Sequence, residues 1–253
     1  MKPTRGKLIF KIFAFIFTIA FLIATYINSM VLKLWVPKSD LPFLYGDFTV
    51  QYLSFFTTQS NIIVAIWFLL ATINYQNEDK NILTGQTSKL FITSYISVTF
   101  FVWLTVLIPT AFKDMGINAW IYGVAQHIIV PLLMIIYGIW NIGSNKIELN
   151  NYFKKNIWIY LSYPLTYIIY VMLRGEMRWA DGKENLSYPY FFLNLHNKNF
   201  GMNGVLVFVI FATLILFLFI VFNLLYIFIN NFKNKKILEV AFSFLRYFLK
   251  KKK

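Results

Sequence analysis

Cysteine is absent from this chain of 253 residues, and charged residues are scarce. Without cysteine, disulfides, thiol catalysis and thiolate metal sites are excluded. Charged residues make up 13% of the chain, where a soluble domain carries about a quarter. With 58% hydrophobic residues and a mean hydropathy of +0.61, the chain cannot cover a surface that faces water. Its solvent is therefore largely lipid.

Acidic residues are also few, 10 against 24 lysines and arginines, which gives a net charge of +14. In a soluble protein such an excess would suggest nucleic acid as a partner. Here the basic residues border apolar runs, so we expect them to meet anionic lipid headgroups at the cytoplasmic face. The predicted partners are membrane lipids, with no nucleic acid. The oligomeric state stays open.

Apolar runs long enough to cross a membrane recur six times along the chain. They predict an all-α fold, a bundle of six membrane-spanning helices. The fifth run is the shortest and contains Pro164. The predicted spans lie near residues 9–32, 50–73, 90–108, 119–140, 157–173 and 205–229.

The basic residues also predict which way the bundle faces. With the N-terminus inside, seventeen of the 24 lysines and arginines fall on inner segments. The positive-inside rule then predicts a multi-pass protein of the cell membrane with both termini in the cytoplasm. It puts the largest loop, residues 174–204, outside. We divide the chain into a membrane domain, residues 1–236, and a basic tail, residues 237–253. The tail predicts a helix lying on the inner leaflet, or else a frayed basic end.

The second run carries unusually many hydrogen-bonding side chains, in "FFTTQSN" at residues 55–61. On a helix, Thr57 and Asn61 share one face with Ser60 close by, and Thr58 lies on a neighbouring stripe. Such stripes should face the bundle interior and not lipid. One interpretation is structural, because hydroxyl and amide groups join membrane helices at about 0.6 kcal/mol per bond. The other is a site.

One histidine, His127, lies inside a predicted span, whereas His196 lies in the outer loop, where we expect it to be solvated. His127 could be a neutral ring bonded to a neighbouring helix, but an ionisable group at membrane depth is also a functional candidate. From the predicted boundaries, Thr57 and His127 lie at one depth. A hydroxyl and an imidazole so placed could form a nucleophile and base, with Gln59, Ser60 or Asn61 orienting the base or binding an oxyanion.

Three further features have open interpretations. Arg174 ends the fifth run and could hold a substrate carboxylate or a lipid phosphate, or extend to headgroups. Tyr167 belongs to a series of tyrosines at helical spacing that could pack or form a pocket wall. The aromatic segment at residues 188–192 could cap a pocket or anchor at the interface. The chain has no glycine-rich phosphate loop, dinucleotide fingerprint or HExxH, so we predict no cofactor and no metal.

The polar and Pro/Gly letters together resemble a known family. "FFTTQSN" is similar to the "YFT-x-QSN" signature of the bacterial six-span Pr-six-Pr proteins. "QHIIVPLLMIIYGIW", residues 126–140, resembles that family's "HxxxP" helix. "WIYLSYPLTYIIYVMLRG", residues 158–175, followed by "YPYFFLNL", residues 188–195, resembles a third conserved run. The motifs occur in the family's order, from the second span to the loop before the sixth.

That family in turn resembles, more distantly, the eukaryotic androgen-induced membrane hydrolases. These are threonine hydrolases that cleave fatty-acid esters of hydroxy fatty acids with one intramembrane Thr and one His. The resemblance implies Thr57 as nucleophile and His127 as base, with Thr58 next if the register slips by one. It predicts an intramembrane lipid-ester hydrolase. The alternative is a non-catalytic protein that binds or transports a lipid or small solute.

Overall fold

A computed structural model of the protein describes residues 4–31, 44–112, 116–143 and 145–234. The predicted all-α fold is confirmed, because the described residues form helices and turns without a β-strand. The predicted interfacial helix, residues 237–253, lies outside the described residues.

Nine α-helices follow one another in the described residues, several of them extended or joined by π-helical turns. The π-helical turns are Trp103–Phe112, which prolongs α4, Ala125–Ile129, which joins α5 to α6, and Tyr152–Asn156, which joins α7 to α8. The helices are α1 Arg5–Met30, α2 Tyr45–Ser54, α3 Phe56–Ile73, α4 Gln86–Val102, α5 Ile117–Val124, α6 Val130–Asn141, α7 Leu149–Asn151, α8 Ile157–Ala180 and α9 Gly204–Asn234.

Six continuous helical stretches are long and apolar enough to cross a membrane. The second is shorter than predicted, with 18 residues, because the run over residues 50–73 breaks into α2 and α3. The fifth was predicted to be the shortest but is the longest, with 32 residues, because helical turns extend it at both ends, back to Leu149 and on to Ala180; Pro164 lies within α8 without ending it. The six stretches are Arg5–Met30, Phe56–Ile73, Gln86–Thr110, Ile117–Asn141, Leu149–Ala180 and Gly204–Lys233.

Two groups of buried side chains hold the helices together. One joins α1, α3, α4 and α6, with Trp67, Phe68 and Met134 among its fully buried members. The other joins α4, α8 and α9 through large rings, and Tyr95 stacks on Tyr160 at its centre. α4 therefore contacts both groups and lies at the middle of the bundle, packed against α3, α6 and α9.

The outward faces of the long helices are apolar. Large aliphatic and aromatic side chains are exposed along α1, α8 and α9, where a soluble protein would present charges. α9 is the most hydrophobic of the six stretches, and only 11% of its most apolar 18 residues are buried. Examples of exposed side chains are Ile9, Ile16, Leu173, Leu214, Phe217 and Phe228.

Charged side chains are buried at one end of the bundle, where α1 begins and α3 ends. Lys11 and Lys89, both almost fully buried, pair with Glu78 at 2.9 and 2.8 Å, and Lys89 also pairs with Asp79 at 3.3 Å. We call these four residues the ion-pair cluster. Burial raises the pKa of Glu78, but the two lysines and Tyr137 outweigh it, so the pKa is lowered. Lys11 and Lys89 thus point to carboxylates and not to headgroups.

Candidate functional site

A helix break at Phe55 places Thr57 in the first turn of α3. The backbone of Phe55 is extended, with φ −68° and ψ 129°, between two helical segments. The Tyr167 hydroxyl donates to the carbonyl of Ser54 across the break, at 3.0 Å. Because the first N–H groups of a helix have no partner within it, those at the start of α3 are available to other groups.

The ring of His127 is oriented by the backbone of its own helix. Its Nδ1 lies 3.0 Å from the carbonyl oxygen of Gly123, which can only accept a hydrogen bond. In the neutral ring, Nδ1 therefore carries the proton and Nε2 is left as an acceptor. The residue lies in the π-helical turns Ala125–Ile129, a geometry that changes the usual pairing of backbone carbonyls. The indole of Trp103 stacks on the imidazole at 5.2 Å and 14°.

The structure brings Thr57 and His127 into direct contact. The Thr57 Oγ1 atom lies 3.0 Å from His127 Nε2. Because Nε2 is the accepting nitrogen, the threonine hydroxyl donates its proton to it. This is the geometry that a nucleophile and a general base require. The distance is within the hydrogen-bond reach of a general base, whereas the catalytic roles of the two residues stay predictions.

A third side chain, Tyr190, completes the site from the loop between α8 and α9. Its hydroxyl lies 3.3 Å from both the Thr57 Oγ1 and the Thr57 backbone nitrogen. The backbone N–H donates to the tyrosine oxygen, so the phenolic proton is free to point at Oγ1. Burial raises the pKa of Tyr190, and hydrogen bonds from Thr57 oppose part of the rise. Tyr190 is therefore a neutral donor. We call Thr57, His127 and Tyr190 the Thr57 site.

Arg174 holds the loop that carries Tyr190. It is buried, and its guanidinium donates to the backbone carbonyls of Leu186 at 3.0 Å and Ser187 at 2.7 Å. It thus reaches neither headgroups nor the cavity described below. Next to it, Gly175 leaves room for the ring of Tyr188, which a Cβ at this position would overlap.

The same loop is fastened to α2 by charge. Asp47 pairs with Arg178 of α8 and, at 2.7 Å, with Lys183 of the loop. Burial raises the pKa of Asp47, but these two cations outweigh it, so the pKa is lowered. His196, expected to be solvated, is exposed, and it stacks on Trp179 at 4.0 Å, with its Nε2 3.0 Å from a carboxylate oxygen of Glu176.

The remaining predicted residues support the backbone around the site. Asn61 donates to the carbonyls of Thr57 at 2.8 Å and Gln126 at 3.1 Å, and so ties α3 to the helix of His127. Ser60 donates to the Thr57 carbonyl at 3.0 Å. Gln59 donates to Leu53 across the helix break at 3.0 Å. None of these three side chains lines the cavities at the site, so none is placed to bind an oxyanion there.

Two cavities meet at Thr57. The larger, of about 350 Å³, is lined by Thr57, Thr58, His127 and Tyr190, together with residues of α1, α2 and α5. The smaller, of about 60 Å³, lies between α3, α4, α8 and α9 and is almost entirely apolar. Tyr167 lines the smaller one, so it is both a packing residue and a pocket wall.

Sequence reasoning did not assign Tyr190, Trp103 or Gly123 to the site. The sequence signal for Tyr190 was the aromatic segment at residues 188–192, interpreted only as a cap or an anchor. For Gly123 the signal was its position four residues before His127 on a helix. In the described residues, no group of three histidine, aspartate or glutamate side chains is arranged to hold a metal ion.

The six apolar helices and their lipid-compatible outer faces define the class: a multi-pass membrane protein. Among curated proteins, the chain is similar to an uncharacterized protein of Mycoplasma pneumoniae, with 25% identity over 147 residues. The alignment covers 56% of this chain and 57% of the relative, so the chain spans about half the length of the relative it matches. No family model matches the chain, and no solved structure matches it.

Proposed function

We propose that the protein is an intramembrane hydrolase of lipid esters, with Thr57 as nucleophile and His127 as general base. The observation that carries the proposal is the 3.0 Å contact between Thr57 Oγ1 and the accepting nitrogen of His127, in the wall of a cavity of about 350 Å³. The resemblance to the Pr-six-Pr proteins, and through them to the androgen-induced hydrolases, supports the same pair.

The first half of the reaction transfers the acyl group to the enzyme. Thr57 Oγ1 attacks the ester carbonyl carbon while His127 Nε2 takes the hydroxyl proton. The tetrahedral intermediate collapses as the bond from carbon to the alcohol oxygen breaks. That oxygen receives the proton from His127, and the alcohol departs. The acyl group remains on Thr57 as an ester.

The second half uses water. His127 takes a proton from a water molecule as its oxygen attacks the acyl carbonyl. The bond to Thr57 breaks, Oγ1 recovers the proton, and a carboxylic acid is released. The Gly123 carbonyl keeps the ring in one tautomer through both halves. This carbonyl thus has the orienting role that the aspartate has in a Ser-His-Asp catalytic triad.

The negative charge of each intermediate needs hydrogen-bond donors. The Tyr190 hydroxyl, 3.3 Å from Oγ1, is close enough to the attacking oxygen to donate to the carbonyl oxygen as its charge develops. The start of α3 adds the positive end of the helix dipole. Donors held in place in this way supply a large part of the rate enhancement in acyl transfer.

Labelling with an ethoxy fluorophosphonate tests the proposal. Wild type should be labelled on Thr57, with loss of fluoride, and Thr57→Ala and His127→Ala should not be. Thr93→Ala is the matched control, because Thr93 is a buried threonine of α4 bonded to its own helix. If only Thr58→Ala loses the label, Thr58 and not Thr57 is the nucleophile. Labelling that survives both Thr57→Ala and His127→Ala rules out the hydrolase.

A cavity of about 350 Å³ also suits a protein that binds or moves a lipid without cleaving it. In that case the protein remains unlabelled, lipids that co-purify with it are whole, and His127→Ala changes their affinity.

The proposed location is the cell membrane, with both termini in the cytoplasm and the Thr57 site at the outer end. The chain has no cysteine, so single cysteines can be introduced without a background. In intact cells, a membrane-impermeant maleimide should label Asp181→Cys and leave Gln76→Cys unlabelled, because the two exposed positions lie at opposite ends of the bundle. The reverse pattern would invert the orientation.

A further inference from the structure

The two cavities that meet at Thr57 differ in which part of the catalytic pair they contact. Thr57, Tyr190 and Leu107 line both. His127 lines only the larger one. A substrate bound for attack by Thr57 would therefore extend one part into each cavity, and the two parts would have different relations to the base.

The position of His127 decides which part goes where. In the proposed reaction the protonated imidazole must give its proton to the oxygen of the departing alcohol. That oxygen must lie within hydrogen-bond distance of Nε2, and so on the side of the larger cavity. The acyl chain leaves the carbonyl carbon in the other direction, which leads into the smaller cavity.

The smaller cavity has the chemistry of an acyl-chain pocket. Its walls are side chains such as Val98, Ile168 and Ile215, with rings of Phe192 and Phe219. The larger cavity is more polar, because Gln51, Gln126 and Asn185 contribute to its wall. In the smaller cavity an alkyl chain would lose no hydrogen bonds, and each buried methylene would stabilise the complex.

The size of the smaller cavity limits the length of the chain. Its volume of about 60 Å³ has room for about four to six groups the size of a water molecule or a methylene. Phe219 forms part of the wall and is itself fixed, because it packs on Phe56 and Tyr95 and its carbonyl accepts from the Tyr160 hydroxyl at 2.9 Å. A longer chain would exceed this volume.

We propose, on the basis of the proposed function, that the substrates are esters of short acyl chains, about four to six carbons long. The acyl chain occupies the cavity between α3, α4, α8 and α9, and the alcohol part, the larger of the two, occupies the cavity that His127 lines. The selectivity thus resides on the acyl side, in Ile215 and Phe219.

The test is a series of p-nitrophenyl esters that share one leaving group. The acetyl, butanoyl, hexanoyl, decanoyl and hexadecanoyl esters are compared by kcat/KM with the purified full chain. We expect a maximum at butanoyl or hexanoyl and a fall of about tenfold or more for hexadecanoyl. A rate that is flat or still rising at hexadecanoyl overturns the inference.

Ile215→Ala should lengthen the preferred chain, because it enlarges the pocket. Leu214→Ala is the matched control, since Leu214 is the neighbouring aliphatic residue and is exposed on the outer face of α9. If Ile215→Ala does not fold, the wild-type profile decides alone. Fluorophosphonate labelling of Thr57 without the expected profile would overturn this inference and leave the hydrolase. No labelling and no ester cleavage would overturn both.

Discussion

Two groups of buried polar side chains lie at opposite ends of α3, and they differ in charge. In the ion-pair cluster, two lysines face two carboxylates, and each charge has a partner of the other sign. In the Thr57 site, the groups are neutral and arranged as a chain from Gly123 through His127 to the hydroxyl of Thr57.

A cavity alone does not distinguish the two ends. A pocket of about 120 Å³ adjoins the ion-pair cluster, just as the larger cavity adjoins the Thr57 site. The difference lies in what the polar atoms can still do. The charges of the cluster neutralise one another, whereas Thr57 presents a neutral hydroxyl whose proton already has an acceptor in His127. The first arrangement serves stability and the second serves the proposed chemistry.

The largest expected effect is on activity at the Thr57 site. Thr57→Ala should lower ester hydrolysis by about 10³-fold or more. It should change the free energy of unfolding by only about 1 kcal/mol, the value of one hydrogen bond. Turnover of the butanoyl ester and unfolding in mixed micelles measure the two quantities. A variant that loses activity only because it unfolds would contradict this separation.

The next effect is on stability at the ion-pair cluster. Glu78→Gln removes the carboxylate that both buried lysines contact, and leaving them without it should cost about 3–5 kcal/mol. Turnover per folded molecule should be unchanged. Glu148→Gln is the control, because Glu148 is exposed. A loss in the control as large as that in Glu78→Gln would show that the effect does not come from burial.

A smaller effect on activity is expected at Tyr190. Tyr190→Phe keeps the ring and removes the donor, so kcat should fall by about 100-fold with little change in KM. Tyr170→Phe serves for comparison, since that hydroxyl contacts Ser54 and not Thr57. If KM rises and kcat does not change, Tyr190 shapes the cavity and does not stabilise the intermediate.

The smallest effect is the response to acid. The pKa of Glu78 is lowered in the folded protein, so its contribution to stability is present above the ordinary carboxyl pKa, about 4.3. That contribution is lost as pH falls through the lowered value. Unfolding measured across this acidic range should show a slope that Glu78→Gln reduces. An identical slope in the variant would mean that other carboxyl groups cause it.

Hydrophobic run length was enough to predict six spans, and unusual polar letters pointed to residues 55–61 and to His127. Thr57 and His127, however, were paired because they lay at similar distances from the predicted starts of their spans. The structure moves one of these starts, from residue 50 to Phe56. Thr57 is the second residue of α3, whereas His127 comes ten residues after the start of α5 at Ile117. Thr57 and His127 meet because the helix breaks at Phe55. The prediction instead assumed that residues equally far from the starts of their spans lie at the same depth.

The break itself could not be predicted from the local sequence. Residues 50–73 contain no proline, no glycine and no charged residue. Besides the local bond from Gln59 to Leu53, the break is held by the hydrogen bond from Tyr167 to Ser54, which joins residues 113 positions apart. Tyr190 lies 133 positions from Thr57. Neither of these long-range contacts produces a periodic pattern in the sequence, so both become visible only in the folded protein.

The break at Phe55 also bears on the supply of water. An α-helix of 18 residues rises about 27 Å, close to the thickness of about 30 Å of a bilayer's hydrocarbon layer. The first turn of α3 therefore lies at one boundary of that layer and not at its centre. Hydrolysis consumes one water molecule in each cycle, and water is present at the boundary but scarce within the hydrocarbon. By starting a helix at this point, the chain places the Thr57 hydroxyl where the proposed reaction would have access both to an ester in the membrane and to a water molecule.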